Sequence, residues 1–354
     1  MKKLTLILVC TLGGVANSFG QQAEKKEGLP YDQIFAYGMD ANVKSALELL
    51  QAQSDLTGED REFKERFLDR FSGDSDNEKY EKSGDEKIDE MLSMFRNYWR
   101  ISLLDPSENY MMTLGRNVMP FLMKNYPPFK SPQQRDSLGN HLADYIKSKG
   151  FYTTKQINPQ GRLVDLLIWQ TQTDSTFKVR LSKKEQMEVN VVFMEDFLTL
   201  GWMEYATLGE HHPGGWTTED ALFCVKKSYD LASENFKISY LAHEARHFAD
   251  KKIFNDLSDK DLEYRSKLTE ISLSSKKRMY TLLEFFIENA NAESVNGHQL
   301  ANHQLIADLS NDLLGLDYQS NLNEWKKVSV KKLNKAAENL LVEHTDKLYE
   351  MKQD

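Results

Sequence analysis

The sequence predicts an α+β fold: a mostly helical first segment, a small sheet, and a second set of helices led by a long buried one. Three observations carry this. Apolar residues recur at three- and four-residue spacing through most of residues 31–150. Between residues 151 and 225 the pattern changes to short β-rich runs bounded by polar turns. From Phe236 onward the helical spacing returns.

The chain opens with Met1-Lys2-Lys3, an apolar stretch from Leu4 to Ala16, and small residues at Ser18 and Gly20. Basic start, short apolar core and small end read as a signal peptide over residues 1–20, cut after Gly20. The apolar run is too short to span a bilayer. Cys10 does not make it a lipoprotein leader, because the preceding Val9 is too bulky. The expectation is an exported protein, periplasmic or secreted, with no membrane span.

Lys2 and Lys3 are the leader's only charges, so its loss takes the net charge from −9 to −11. With no basic stripe either, a nucleic-acid partner is excluded. Of the 2 cysteines, Cys10 leaves with the leader and Cys224 remains alone, so no intramolecular disulfide can form. Stability must come from the core and from a metal, if one binds.

Residues 21–150 form the mostly helical region. Residues 23–30 and 72–86 are polar connections. The spacing predicts helices over 43–50, 88–104, 111–123 and 138–146, interrupted around Pro127, Pro128 and Pro132. Residues 151–354 form the second domain. Strands are expected at 163–169, 177–181 and 189–193. Residues 204–209 read as a further strand ending at Gly209. Glu210-His211-His212-Pro213-Gly214-Gly215-Trp216 reads as a turn that lines a cleft or seats a core Trp, and 221–225 as another strand. A helix runs from 236 to 254 with no Pro or Gly, and an amphipathic helix closes the chain from Trp325 through Leu341.

The 236–254 helix contains His243-Glu244-Ala245-Arg246-His247, an H-E-x-x-H pattern. This spacing sets two imidazoles one turn apart on one face. Neutral imidazoles so placed can hold Zn²⁺, and the Glu between them can act as general base toward a metal-bound water. A buried helix carrying four polar side chains in five residues also needs partners for them.

Ser258, with Asp261 three residues later, starts a new helix through Ile271, antiparallel to the first across a short loop. At 1.5 Å per residue, Glu263 comes within about 3 Å of level with His247 and Glu270 about 7 Å off, which favours Glu263 as third ligand and keeps Glu270 as its alternative.

Over about residues 190–275 this arrangement resembles the gluzincin branch of the zincin metallopeptidases. Residues 248–258 contain neither the Gly nor the third His of the metzincin branch. The interval between His247 and Glu263 is shorter than in the familiar gluzincins. The resemblance implies a zincin-like core, a small sheet plus the motif helix, with zinc on His243, His247 and Glu263 and a water completing the site. It implies a peptide or protein substrate laid along an edge strand, for which residues 204–209 are the candidate. His298 is expected as a transition-state hydrogen-bond donor, and Tyr264 either as an oxyanion donor or as a packing residue. Asp250 is expected either to orient an imidazole or to stay solvated near the helix end, and Arg246 to pair with a carboxylate. His211 and His212 are expected at the surface or cleft, His303 is a weaker candidate than His298, and His141 and His344 take no role. Two other functions stay open: hydrolysis of a cell-wall peptide, and a non-catalytic periplasmic binding or scaffold protein with a structural zinc. A chance motif with no metal is the remaining reading.

Overall fold

The three-and-four spacing of the first half becomes six helices: α1 (Tyr31–Met39), α2 (Val43–Gln51), α3 (Gly58–Phe71), α4 (Glu86–Leu104), α5 (Met111–Asn125) and α6 (Leu138–Ser148). The computed structural model describes residues 28–351 apart from Gly161, Glu219, Asn255 and Val295 and the side chain of Gln160. The leader read over residues 1–20 lies outside the described residues. Helix α4 starts where Asp85 accepts from the backbone N–H groups of Lys87 and Ile88, at 2.8 and 3.1 Å. The end of α3 is closed by the buried Arg100 of α4, which donates to the carbonyls of Arg70 and Gly73 at 2.9 and 2.7 Å.

After α6 come β1 (Tyr152–Thr153), β2 (Pro159–Gln160), β3 (Leu163–Val164), β4 (Leu167–Arg180), β5 (Gln186–Leu200) and the short helix α7 (Trp202–Ala206). The last of these corrects the strand expected at 204–209. Trp202, Tyr205 and Ala206 are buried at helical spacing, not alternately. Gly201, at φ +98°, turns the chain into the helix, where Asp165 accepts from the Trp202 N–H at 2.9 Å. A Cβ on Gly201 would collide with the Asp165 carboxylate, so only glycine fits. Left-handed Leu208 and Gly209 end the segment.

Residues 28–172 and 194–214 make one compact unit. Its core gathers Phe67, Phe71, Phe95 and Trp99 with Tyr205 of α7. The Trp99 indole donates to Val164 O at 2.8 Å, which satisfies its one polar group inside that core. Residues 151–172 and 194–214 cluster with the helices of this unit.

Residues 173–193 and 215–351 make the other unit. Besides the rest of β4 and β5 it contains β6 (Gly215–Thr217), β7 (Leu222–Val225), α8 (His243–Ile253), α9 (Asp259–Leu273), α10 (Lys276–Glu288), α11 (Gly297–Leu314), α12 (Leu322–Trp325) and α13 (Val330–Glu350). The sheet order is β1-β4-β5-β7-β6, so β6 is an edge strand. It pairs antiparallel with β7, Thr217 opposite Leu222 and Gly215 opposite Cys224. Part of the expected 210–216 turn is therefore strand, and Trp216 is buried, stacked on Phe223 at 5.4 Å. A Cβ on Gly215 would lie 2.7 Å from the Tyr240 ring, so the strand lies flat on that ring only as glycine.

The expected 236–254 helix is present, but its first turns, Asn235–Ala242, are wide π-helical ones that tighten to α at His243. Ser258 caps α9 as the sequence indicates, its hydroxyl accepting from the Asp261 N–H at 3.1 Å. Helix α9 is the hub of this unit, packed by α8, α11 and α13. Every residue from Leu262 to Ile271 is buried, so its charged side chains must find partners inside the protein. The fold is α+β. Among the described residues no helix is long and apolar enough to cross a membrane.

Candidate metal centre

His243 and His247 stand one turn apart on α8 and face Glu263, on the second turn of α9. Ligand atoms of all three lie within 4.8 Å of one another, and all three residues are buried. The two Nε2 atoms are 3.1 Å apart. Glu263 Oε1 is 3.0 Å from His247 Nε2, and Oε2 is 3.5 Å from His243 Nε2.

Each imidazole is oriented from behind. His243 Nδ1 is 2.7 Å from Glu270 Oε1. Ser266 donates its hydroxyl hydrogen to His243 O at 3.1 Å, so the same oxygen accepts from His247 Nδ1 at 3.3 Å. Both Nδ1 atoms are therefore committed, and the two Nε2 atoms turn toward each other and toward Glu263. This is the outer-shell pattern of metal-bound histidines. Two ring nitrogens at that distance repel unless a positive charge sits between them.

The electrostatics say the same. Burial disfavours a charged His243, but the Glu263 and Glu270 carboxylates outweigh it and push its pKa up to about 10. Burial likewise disfavours ionised Glu263, yet Lys267, His298 and the two imidazoles hold its carboxyl well below the usual range. Without a metal the cluster satisfies its need for charge with a proton. Glu263 Oε1, although buried, accepts no hydrogen bond. Two imidazole nitrogens and a carboxylate oxygen that is itself an orphaned acceptor fit a metal ion.

Glu244 leaves α8 toward the edge strand, where the Thr217 hydroxyl of β6 donates to its Oε2. His298, at the start of α11, reaches the cluster through Glu263: its Nδ1 is 2.8 Å from Glu263 Oε2. Burial lowers the His298 pKa, with Glu263 opposing. Through Nδ1, His298 is a partner of the Glu263 carboxylate.

Tyr264 is not brought to the site. One residue on from Glu263 it points elsewhere around α9, and its hydroxyl donates to Asp308 at 2.6 Å. Of its two expected roles the packing one is observed. Asp250 orients no imidazole; it accepts two hydrogen bonds from Arg265, at 2.7 and 3.0 Å. Arg246 pairs with Glu185 and Asp250, at 2.5 and 3.5 Å. His303 stacks on Tyr318 at 4.8 Å, and His211 lies edge-on to Phe35 in the other compact unit.

Sequence reasoning missed Lys267 and Thr217. Lys267 had a signal, the i,i+4 spacing from Glu263 that brings the two together on a helix. Thr217 had none, since only β6 brings it to Glu244. No family model matches the chain, and no curated protein or solved structure shows significant similarity to it.

Proposed function

We propose that this chain is an exported, zinc-dependent peptidase with a zincin-like core. The observation that carries the reading is the convergence of His243 Nε2, His247 Nε2 and Glu263 Oε1 on one point, with both Nδ1 atoms already committed. His243, His247 and Glu263 would hold the ion. When bound, zinc supplies Lewis acidity toward a carbonyl oxygen and toward water.

The chain's own groups do the rest. An extended peptide adds to β6 through main-chain hydrogen bonds, which sets its carbonyl beside the motif helix. This moves the substrate strand from the expected 204–209 to Gly215–Thr217. Glu244 takes a proton from the attacking water on its carboxylate and returns it to the departing amine. Thr217 holds that carboxylate in place until then.

A second reading has one observation in its favour. Glu244 is 2% and Glu263 0% exposed, and β6 is buried, as suits a structural metal in a non-catalytic binding or scaffold protein. Metal analysis of the purified protein beside His243→Ala comes first. About one zinc per chain, lost in the variant, is expected. Hydrolysis is then assayed on peptide mixtures and on purified cell wall, which separates protein from cell-wall peptide substrates. Glu244→Gln should keep the zinc and lose about 10²–10⁴-fold in rate. Zinc without hydrolysis of either substrate favours the structural reading, and a fully active Glu244→Gln removes Glu244 as the base.

A further inference from the structure

Lys267 has no place in the ligand set, yet it is buried at the centre of the site. Its Nζ lies 2.7 Å from Glu263 Oε2, and the side chains of the two are 5% and 0% exposed. Lysine is almost never buried to this degree without a specific partner. One turn of α9 fixes the spacing, and the ammonium lies over the buried Phe286 ring, 5.7 Å from its centroid. His298 Nδ1 reaches the same carboxylate oxygen. The two oxygens of Glu263 are therefore unlike: Oε2 is held by two donors, while Oε1 faces His247 Nε2 and accepts no hydrogen bond.

We infer that Lys267 is a resident counter-cation that holds Glu263 Oε2, presents Oε1 as a one-oxygen ligand, and keeps the site assembled when no metal is bound. This rests on the reading that the cluster binds zinc. Two opposite effects follow. Two buried carboxylates, Glu263 and Glu270, face the imidazoles, and an unpaired buried carboxylate is strongly destabilising. Lys267 therefore stabilises the metal-free protein. The same ammonium repels an arriving divalent ion, so it weakens zinc binding. Lys267 is a positioning residue, and it makes the metal exchangeable instead of a condition of folding.

The test is Lys267→Met, which keeps the stem and removes the charge, in the full-length mature chain. Thermal unfolding is measured in chelator and in excess zinc, and zinc affinity by competition with a chromophoric chelator. The variant should melt well below wild type without metal and recover most of the difference with zinc. Its zinc Kd should be at least about tenfold tighter, as loss of a nearby like charge requires. Lys267→Arg should restore both values toward wild type. If Lys267→Met does not fold in chelator, Lys267→Met/Glu263→Gln decides: removing both charges should restore metal-free melting. The inference is overturned if metal-free Lys267→Met melts with wild type, if its Kd is unchanged or weaker, or if the double variant is no better than the single one. A wild-type chain that takes up no zinc overturns the metal reading, and with it the claim about affinity. The metal-free melts of the single and double variants then still decide the counter-cation role.

Discussion

Two buried polar clusters lie where α8 meets α9, and they follow different rules. Around Asp250 donors and acceptors close on one another. Arg265 takes both carboxylate oxygens in a fork and passes another N–H to Thr345 at 2.9 Å. Arg246 joins from the side with Glu185. Around His243, His247 and Glu263 acceptors crowd together, and one carboxylate oxygen has no donor. The first cluster is finished by the protein alone and ties two helices together. The second, even with Lys267 and His298 on Glu263 Oε2, keeps Oε1 open beside the two imidazoles, where a metal ion could bind. Asp250 and Glu263 are both 0% exposed, so saturation, not burial, separates a closed ion pair from a candidate ligand site.

The sharpest way to break this comparison is to delete one member of each. His247→Ala should abolish stoichiometric zinc. Asp250→Ala should leave zinc in the folded protein and cost about 3–5 kcal/mol, the usual penalty for stranding one partner of a buried pair. Metal analysis and denaturant unfolding in chelator check both. Loss of zinc from folded Asp250→Ala would mean that the two clusters are one.

A buried carboxylate with no cation sharpens the contrast. Asp165 accepts only backbone N–H groups among the described residues, and burial pushes its pKa up to about 6 from 3.8. The folded state then binds this proton more tightly than the unfolded chain. Stability should fall as pH rises from about 4 to 6, by about 3 kcal/mol at most, and change little from this source outside that window. Asp165→Asn keeps the acceptor and should remove the slope. Unfolding midpoints of the two proteins between pH 4 and 7 would run parallel if Asp165 did not titrate there.

The smallest effect concerns the open cluster's outer shell. Glu270→Gln leaves all three ligands in place and loosens His243, so zinc affinity should drop about 10–100-fold. An unchanged Kd would show that Glu270 plays no part in orienting the imidazole.

Much of this was legible before any coordinates. The helices expected at 43–50, 88–104, 111–123 and 138–146, the Ser258 cap and the motif helix follow from local spacing, because periodicity and caps are properties of neighbouring residues. Glu263 was favoured over Glu270 by helix rise alone. The misread segment at 204–209 depends on Gly201 and on Asp165, which is 37 residues from Trp202. Tyr264 follows Glu263 directly, but a step of one residue turns about 100° around a helix; Asp250, three residues past His247, stays near the same face and is taken instead by Arg265 from α9.

By itself the sequence determined the α+β class, the motif helix with its two imidazoles one turn apart, and the helix that brings Glu263 opposite them, since each rests on short-range periodicity. Only the tertiary structure decided how Glu263 divides its oxygens between Lys267, His298 and the imidazoles, that Glu270 stands behind His243, and that β6 sets Thr217 against Glu244. Those choices depend on which faces meet when α9 is buried on every side, and burial is what makes each unmatched donor or acceptor count.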